Sequence, residues 1–501
     1  MHPDIKAPRP TPPMMRLLAT GAVASAALLS GCASLAPDGG TGAVADFARP
    51  GIQRIAGPEA AQALARQISD LSPATSAARS ATPSWAALLA QPLSAEAAVR
   101  IALQNNPQLQ AQLASVGVSE AERVQAASLP NPRLALGRLR EGNTLELERS
   151  LHWNLLGLLA LPWRAERAQQ QLQLAQLNAA QEVLRLVADT RRAWVHAVAA
   201  QQSLSYLRQA HEAAQAGTEM ARRMAQVGNW SRLQHAREQA LLTQVTAQLA
   251  RAELAAQDQR EQLTRLLGLE GSATSYTLPE RLPDLPEQLT ETTDLEAQAL
   301  RDRLDVQLAQ LQARQLAQSF TATRISGWVN ALDVSYVRNT SFDNAHGERA
   351  TKNGYELELA LPLFDWGQSA NARVQAQYLQ ALAQVRTVAV QARSEARQAQ
   401  RAWRSSYQLA RLYRDELVPL QRSMTDEVLL RYNGMLSSVW DVLAQARQSI
   451  AAVTDSIAAQ RDFWLTDTDL QLALSGSSPA GLSALGSTSA PTATSSASPG
   501  H

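Results

Sequence analysis

One side chain in this 501-residue sequence is placed for a covalent reaction. Cys32 is the sole thiol, and the small residues Ser30 and Gly31 stand directly before it. Such a thiol is either an acylation point or a buried free cysteine beside an ordinary cleavage site. A single cysteine excludes a disulfide framework, a thiolate-ligated zinc site and an iron–sulfur cluster. Seven scattered histidines make an all-histidine metal centre a poor expectation. No metal site is expected, and no cofactor beyond a covalent lipid on Cys32. Acids, bases and nucleophiles do not recur at a spacing that builds a catalytic constellation. The sequence does not read as an enzyme. Its formal charge of +1 advertises no nucleic-acid partner.

The surroundings of Cys32 carry more. Lys6, Arg9 and Arg16 precede an apolar run from Leu17 to Leu29. That run has signal-peptide length and is too short to span a bilayer. It ends in Leu29-Ser30-Gly31-Cys32, which resembles the lipobox of bacterial lipoproteins. The resemblance implies that residues 1–31 are removed as a lipoprotein signal peptide. Cys32 then becomes the acylated first residue of the mature chain, with palmitate among its acyl groups. Ala33, rather than Asp, follows it, and in lipoproteins that goes with outer-membrane sorting.

Behind Cys32 the composition marks out regions. Residues 32–92, rich in Ala, Gly, Pro and Ser with weak periodicity, read as a lipid-anchored tether and partly irregular wrap. Residues 475–501 are low-complexity and read as a disordered tail. Between them the chain repeats once, over 93–286 and 287–474. Asn106-Pro107-Gln108-Leu109-Gln110 pairs with Arg303-Leu304-Asp305-Val306-Gln307, an offset of 197. Leu159-Ala160-Leu161-Pro162 recurs letter for letter as Leu359-Ala360-Leu361-Pro362, an offset of 200. Gly228-Asn229-Trp230-Ser231 pairs with Gly434-Met435-Leu436-Ser437, an offset of 206. Three landmarks in one order at nearly one spacing argue for a duplicated half.

Each half reads helix, strand hairpin, long helix, tight turn, long helix. Ser94 caps a helix start without a full capping box. No proline interrupts Arg164 to Val227, and Leu177, Ala180, Leu184, Val187, Trp194 and Val198 follow the three-and-four spacing of a coiled-coil seam. Gly228 stops this helix, and a second runs back from Ser231 to Leu266-Leu267-Gly268. The second half repeats the hairpin from Gly367 to Tyr432 and from Ser437 to about Leu474, with Pro419 interrupting the outgoing helix. Alone, such helices would suit a rod or spacer.

The strands change that expectation. From Leu145 to Leu161 the odd positions are mostly apolar, with Arg149 the exception, while Glu146, Glu148, Ser150, His152 and Asn154 alternate with them. Tyr355, Leu357, Leu359, Leu361 and Leu363 alternate with Glu356 and Glu358, and Trp328, Leu332, Val334 and Tyr336 oppose Asp333 and Ser335. Arg133 to Leu139 is the weakest of four strands. A period of two is the mark of a strand with one apolar and one wet face. Trp153 belongs on the lipid side and His152 on the wetted side. Glu141-Gly142-Asn143 and Ser341–Thr351 read as exposed hairpin loops. Four strands cannot close a barrel, and open edges are not tolerated in hydrocarbon. The edge of a soluble sandwich is the alternative; if the strands span a membrane, several chains must pool them. Two chains leave little lumen, whereas three give twelve strands and room for water.

At this point the residues resemble a family. Leu93 to Leu109, read Leu-Ser-x-x-x-Ala-Val-x-x-Ala-Leu-x-x-Asn-Pro-x-Leu, is similar to the opening signature of TolC-type outer-membrane efflux proteins. Leu129-Pro130-Asn131-Pro132-Arg133-Leu134 resembles that family's entry into its first strand. Leu361-Pro362-Leu363-Phe364-Asp365-Trp366-Gly367 resembles its return into the long helix. Tyr432 with Gly434, then Asp441-Val442-Leu443, resembles its second periplasmic hairpin tip. The likeness covers roughly residues 90–474.

The fold so implied is an α+β membrane protein. Long antiparallel helical hairpins form an α-barrel, and four transmembrane strands per chain contribute to a twelve-stranded barrel in a homotrimer. The implied function is the outer-membrane channel of a tripartite efflux system. It is a passive duct in the outer membrane of a diderm bacterium, with the helical body in the periplasm, coupled through an adaptor to an inner-membrane pump. By resemblance Gly228, Ser231, Gly434 and Ser437 mark the tips that meet the adaptor, although each is equally helix punctuation. Asp441 matches an acid lining the periplasmic constriction, with one extra residue between Gly434 and Asp441. A second acid three positions on is replaced by Ala444, so a double acidic ring is not expected. Pro162 and Pro362 mark strand-to-helix bends. A type I protein-secretion conduit uses the same fold, and a lipid-anchored periplasmic spacer is the alternative without strands in lipid.

Overall fold

A computed structural model describes residues 34–71, 86–142, 144–228, 230–289, 294–326, 332–343, 346–359 and 367–479. Cys32, Trp328, Pro362 and the tail beyond residue 479 lie outside these. The chain divides into two compact units. One comprises Met1–Gly39, Gly117–Leu174 and Gln312–Ala381 and holds the sheet. The other comprises Gly40–Val116, Ala175–Leu311 and Leu382–His501 and holds the helical core.

The helical unit opens with α1, Gly42–Leu71. Gly57, at φ 82° and ψ 173°, divides it into two helical segments, and Pro58 starts the second. This stretch, expected to be a partly irregular tether, is instead ordered and packed: Val44, Ala48, Ile52, Ala60 and Leu64 are buried. Two short helices broken by Gly57-Pro58 give no sustained period, which is why the pattern looked weak. Arginines fasten α1: Arg54 to Asp302 at 2.7 Å, Arg100 to Glu59 at 2.7 Å, and Arg191 to the Ile55 carbonyl at 2.5 Å. After a 3₁₀ turn at Ala86–Ala90 come α2, Ala95–Asn105, and α3, Pro107–Ala127. Ser94 caps α2 by accepting from the Ala97 amide at 3.1 Å, as its sequence position predicts.

The first hairpin is α5, Leu161–Gln226, and α6, Arg232–Leu267. The second half enters through α7, Leu295–Asp302, and α8, Leu304–Ser326. Its hairpin is α9, Gln368–Leu412, then a π-turn at Tyr413–Leu417, α10, Val418–Asn433, and α11, Val439–Ser475. Proline at 419 lacks an N–H and crowds the carbonyl four residues back. The wider π-turn accommodates this without ending the helix.

Apolar clusters fill the unit, a small one at Ala210, Ala214, Leu241 and Val245 and two larger ones. Around Trp194, whose indole N–H donates to the Leu93 carbonyl at 2.7 Å, gather Ile101, Val198, Leu263, Leu267, Tyr276 and Ile457. The counterpart in the second half gathers Trp403, Tyr407, Phe463 and Leu470 around Leu295 and Ala399. The duplicated landmark at 106 and 303 does one job with two chemistries. Asn105 and Asn106 donate to the carbonyls of Leu266, Leu267 and Gly268 at the end of α6. Arg303 donates to the Ala473 carbonyl near the end of α11 at 3.3 Å. In each half polar side chains satisfy carbonyls that a helix terminus leaves without partners, two asparagines in the first and one arginine in the second. Arg303 is 0% exposed and also holds Glu395 at 2.8 Å and Asp305 at 2.6 Å. The presumed tail starts later than residue 475: Ser475 is buried and Ser478 lies 3.4 Å from Arg303.

The other unit carries four antiparallel strands in the order β1-β2-β3-β4. They are β1, Arg133–Glu141; β2, Thr144–Asn154; β3, Leu332–Asp343; and β4, Glu348–Leu359. All four expected strands are present. Three boundaries move. β2 ends at Asn154 rather than Leu161, because the Asn154 side chain accepts from the Gly157 amide and starts the short helix α4, Leu155–Leu159. The apolar run Leu155–Leu161 suited either structure. β1 continues to Glu141, and the β3–β4 loop is tighter than Ser341–Thr351, since pairing persists to Asp343 and Glu348. Among the described residues, no helix is long and apolar enough to cross a membrane.

Candidate functional site

The register sorts the strands' side chains onto two faces. Leu134, Leu151, Tyr336 and Tyr355 form one cross-strand row, and Trp153, Val334 and Leu357 the next. Glu148, Ser150, His152, Ser335, Glu356 and Glu358 lie on the opposite face. Tyr336 and Tyr355 touch at 5.4 Å between ring centroids. His152 faces Ser150, Nε2 to Oγ 2.8 Å, on the polar face where the alternation puts it. β1 and β4 each have one neighbour, so two sheet edges keep unpaired backbone groups. Pro162 sits in the first turn of α5, where a missing N–H costs nothing.

The hairpin tips come from capping chemistry. Ser231 is the N-cap of α6 and forms a full capping box with Gln234, its hydroxyl accepting from the Gln234 amide at 3.2 Å. In the second hairpin the cap is Ser438, and its box partner is Asp441. The Asp441 carboxylate accepts from the Ser438 amide at 2.9 Å and from the Ser437 and Ser438 hydroxyls at 2.8 Å each. These hydrogen bonds, the backbone one foremost, hold the exposed Asp441 carboxyl below the usual range.

The equivalence of the tips is therefore 207 residues, one more than the sequence pairing. Gly228, at φ 80°, corresponds to Met435, at φ 60°, and not to Gly434. The amides of Met435 and Leu436 donate back to the carbonyls of Tyr432 and Arg431, closing a Schellman turn with methionine in the left-handed position. Met435 and Leu436 are 94% and 83% exposed. The extra residue noticed between Gly434 and Asp441 is this turn. Trp230 and Trp440 bring the two tips together, ring centroids 4.9 Å apart. Gln445 ties α11 to α10 through the Gln421 carbonyl at 3.2 Å, and Tyr206 ties α5 to α11 through the Ser449 carbonyl at 3.4 Å.

One group near the tips escaped sequence reasoning. Glu238 of α6 is 1% exposed, and neither carboxylate oxygen has a hydrogen-bond partner. It faces Gly217 of α5, and Arg447 of α11 stands 3.9 Å away. Burial pushes its carboxyl up, against a smaller lowering pull from Arg447. In sequence it is one Glu among many on a polar helix. Among the described residues no group of three or more His, Cys, Asp or Glu could hold a metal ion.

The comparisons with known proteins agree with this geometry. A family model described as "outer membrane efflux protein" matches residues 98–269. No curated protein matches the chain. Among solved structures, a membrane protein from Pseudomonas aeruginosa is similar at TM-score 0.66 and 19% identity, covering 76% of this chain and 93% of that one. The outer membrane protein VceC from Vibrio cholerae is similar at TM-score 0.62 and 17% identity, covering 76% and 96%. The CmeC outer membrane channel of Campylobacter jejuni is similar at TM-score 0.64 and 14% identity, covering 76% and 86%. Residues 98–269 are thus similar to the outer membrane efflux protein family, and the chain has the fold of these solved outer-membrane proteins.

Proposed function

We propose that this protein is the passive outer-membrane duct of a tripartite efflux system, acting as a homotrimer. The observation that carries the reading is the four-stranded sheet with one apolar face, one acidic face and two unsatisfied edges. In hydrocarbon both edges need partners. Pairing β4 of one copy with β1 of the next in a ring of three closes twelve strands, wide enough for a wet lumen. The acid-rich face then lines the duct and the Leu, Tyr and Trp rows meet lipid.

The rest of the assembly follows from this reading. Residues 1–31 are removed, Cys32 carries the lipid, and the two halves, 93–286 and 287–474, each supply one strand pair and one helical hairpin. Gly228, Ser231, Gly434 and Ser437, with Met435 and Leu436, form the tips that meet a periplasmic adaptor and, through it, an inner-membrane pump. Asp441 contributes one carboxylate per chain to a constriction. Opening is a change between two packings of the hairpins, with the π-turn beside Pro419 as the compliant joint. Pro162 sits in the first turn of α5, behind the short helix α4, so the turn out of β2 belongs to Asn154 rather than to this proline.

The test is a clean deletion strain exposed to metal salts, dyes, detergents and antibiotics, complemented by the intact chain and by Cys32→Ala. Hypersensitivity to any of these, restored by the intact chain, is expected. An unchanged profile with a lost secreted protein would instead favour a type I secretion conduit. A protein that fractionates as a water-soluble body once Cys32 is replaced would be a spacer.

A further inference from the structure

The register separates charge as well as polarity. All eight acids of the four strands lie on the face that includes Glu148 and Glu356. On the opposite, apolar face there is none, and five arginines stand there: Arg138, Arg140, Arg149, Arg338 and Arg349. They are not scattered. The rows near the helical ends of the strands are Leu, Val, Tyr and Trp, and every one of the five arginines lies in the half nearer the hairpin loops. Successive rows on a face are about 7 Å apart along a strand.

Two features show that this patch lacks a counter-charge. Arg149 and Arg338 are register partners on adjacent strands, and like charges directly opposite each other destabilise a sheet. Among the described residues none of the five forms an ion pair. Arg149 reaches only the Thr340 hydroxyl, at 2.6 Å, and Arg349 lies over the Phe342 ring at 5.4 Å. An arginine facing hydrocarbon is costly at mid-membrane, and the cost fades toward the interface. Five of them confined to the three rows nearest the hairpin loops therefore belong beside the headgroups at the loop ends. Guanidinium forks match phosphate oxygens two at a time.

The geometry points to a binding surface for a phosphorylated anionic glycolipid of the outer leaflet, formed by Arg138, Arg140, Arg149, Arg338 and Arg349 on the outward face. This rests on the barrel reading above. It adds a ligand class and a site, and assigns the arginines a purpose that pore formation does not need. The lipid phosphates fill the space between Arg149 and Arg338 and turn a repulsive pair into a bridged one. The neighbouring Leu147 and Phe342 add apolar surface suited to acyl chains, which a free phosphate would leave unused.

The test uses the full purified assembly in detergent, with native mass spectrometry reading the lipid retained. Probes are diphosphorylated lipid A, the same lipid with its phosphates removed, phosphatidylglycerol and phosphatidylcholine. Preference for diphosphorylated lipid A over each of the others by about tenfold or more is expected, the size of one charge-assisted hydrogen bond lost. Arg149→Gln with Arg338→Gln should abolish the preference, while Lys352→Gln on the other face should keep it. Equal retention of phosphorylated and dephosphorylated lipid would overturn the assignment. Equal retention of phosphatidylglycerol would do the same, as the patch would then be a general anion surface. If the double variant fails to assemble, the four-lipid comparison on the unaltered protein still decides. Heat-modifiable migration and outer-membrane fractionation separate the two readings. An assembled barrel without lipid preference sinks this inference alone, whereas a chain that forms no barrel sinks both.

Discussion

Arg303→Ala should loosen the end of α11. The guanidinium is wholly buried, with Glu395 at 2.8 Å, Asp305 at 2.6 Å and the Ala473 carbonyl at 3.3 Å. Truncation leaves Asp305 with the Val306 amide at 2.8 Å and Glu395 with the Gln391 amide at 2.8 Å. Both carboxylates thus keep one hydrogen bond and lose their counter-charge. Removing one partner of a buried ion pair costs about 3–5 kcal/mol. The readout is amide hydrogen exchange over Leu470–Ser475, where that loss is an acceleration of about two to three and a half powers of ten, at 1.4 kcal/mol per tenfold. Adding Glu395→Gln should recover roughly half, since a neutral amide is cheaper to bury than an unpaired charge. An acceleration below about tenfold in Arg303→Ala would refute the reasoning. So would a double variant that exchanges as fast as the single one.

Glu238→Gln should stabilise the tip, since a neutral amide is cheaper to bury than a carboxylate without a hydrogen-bond partner. The folded-state pKa of Glu238 is raised, so the folded protein binds the extra proton, and stability falls as pH rises above the ordinary glutamate value. Melting curves from pH 4.5 to 8 should show the gap between variant and parent widening with pH. At the turns, Gly228→Ala should cost about 1 kcal/mol although its Cβ would meet nothing within 4 Å. Met435→Gly should gain a similar amount, both read from local exchange. Asp441→Asn can keep the capping hydrogen bond to the Ser438 amide while removing the charge. Single-channel recordings should then show reduced cation selectivity without a change in melting temperature. Equal loss of both would make the residue only a cap.

What the sequence made legible was whatever a local period or a cap encodes. The alternation through Leu145–Trp153 and Tyr355–Leu359 revealed strands, and the proline-free runs revealed the long hairpins. Ser94 and Ser231 are legible because a cap acts within three residues. The failures share a different cause. The run Leu155–Leu161 is apolar in every register, so only the Asn154 side chain decides where β2 stops. Pairing Gly434 with Gly228 followed residue type, whereas the backbone put the left-handed angle on Met435. The burial of α1 depends on partners at 191 and 302, beyond any local window. Glu238 looks like its neighbours until helix α11 covers it. The arginines' shared face is invisible until the register between strands nearly two hundred residues apart is known.

The anchoring of α1 also sets an order of events. Its fastening to Asp302 closes a loop of 248 residues, and that from Arg191 to Ile55 one of 136. A chain threaded out from its amino end presents Arg54 early and secures it only once 248 further residues have followed. Helix α2, close behind in sequence, supplies part of the cover for α1 early, whereas α11 supplies its part only at the end, leaving the kind of interval in which long-range topologies stall or aggregate. This early segment is thus a latch closed late, and a chain cut short before residue 302 lacks the carboxylate that Arg54 holds.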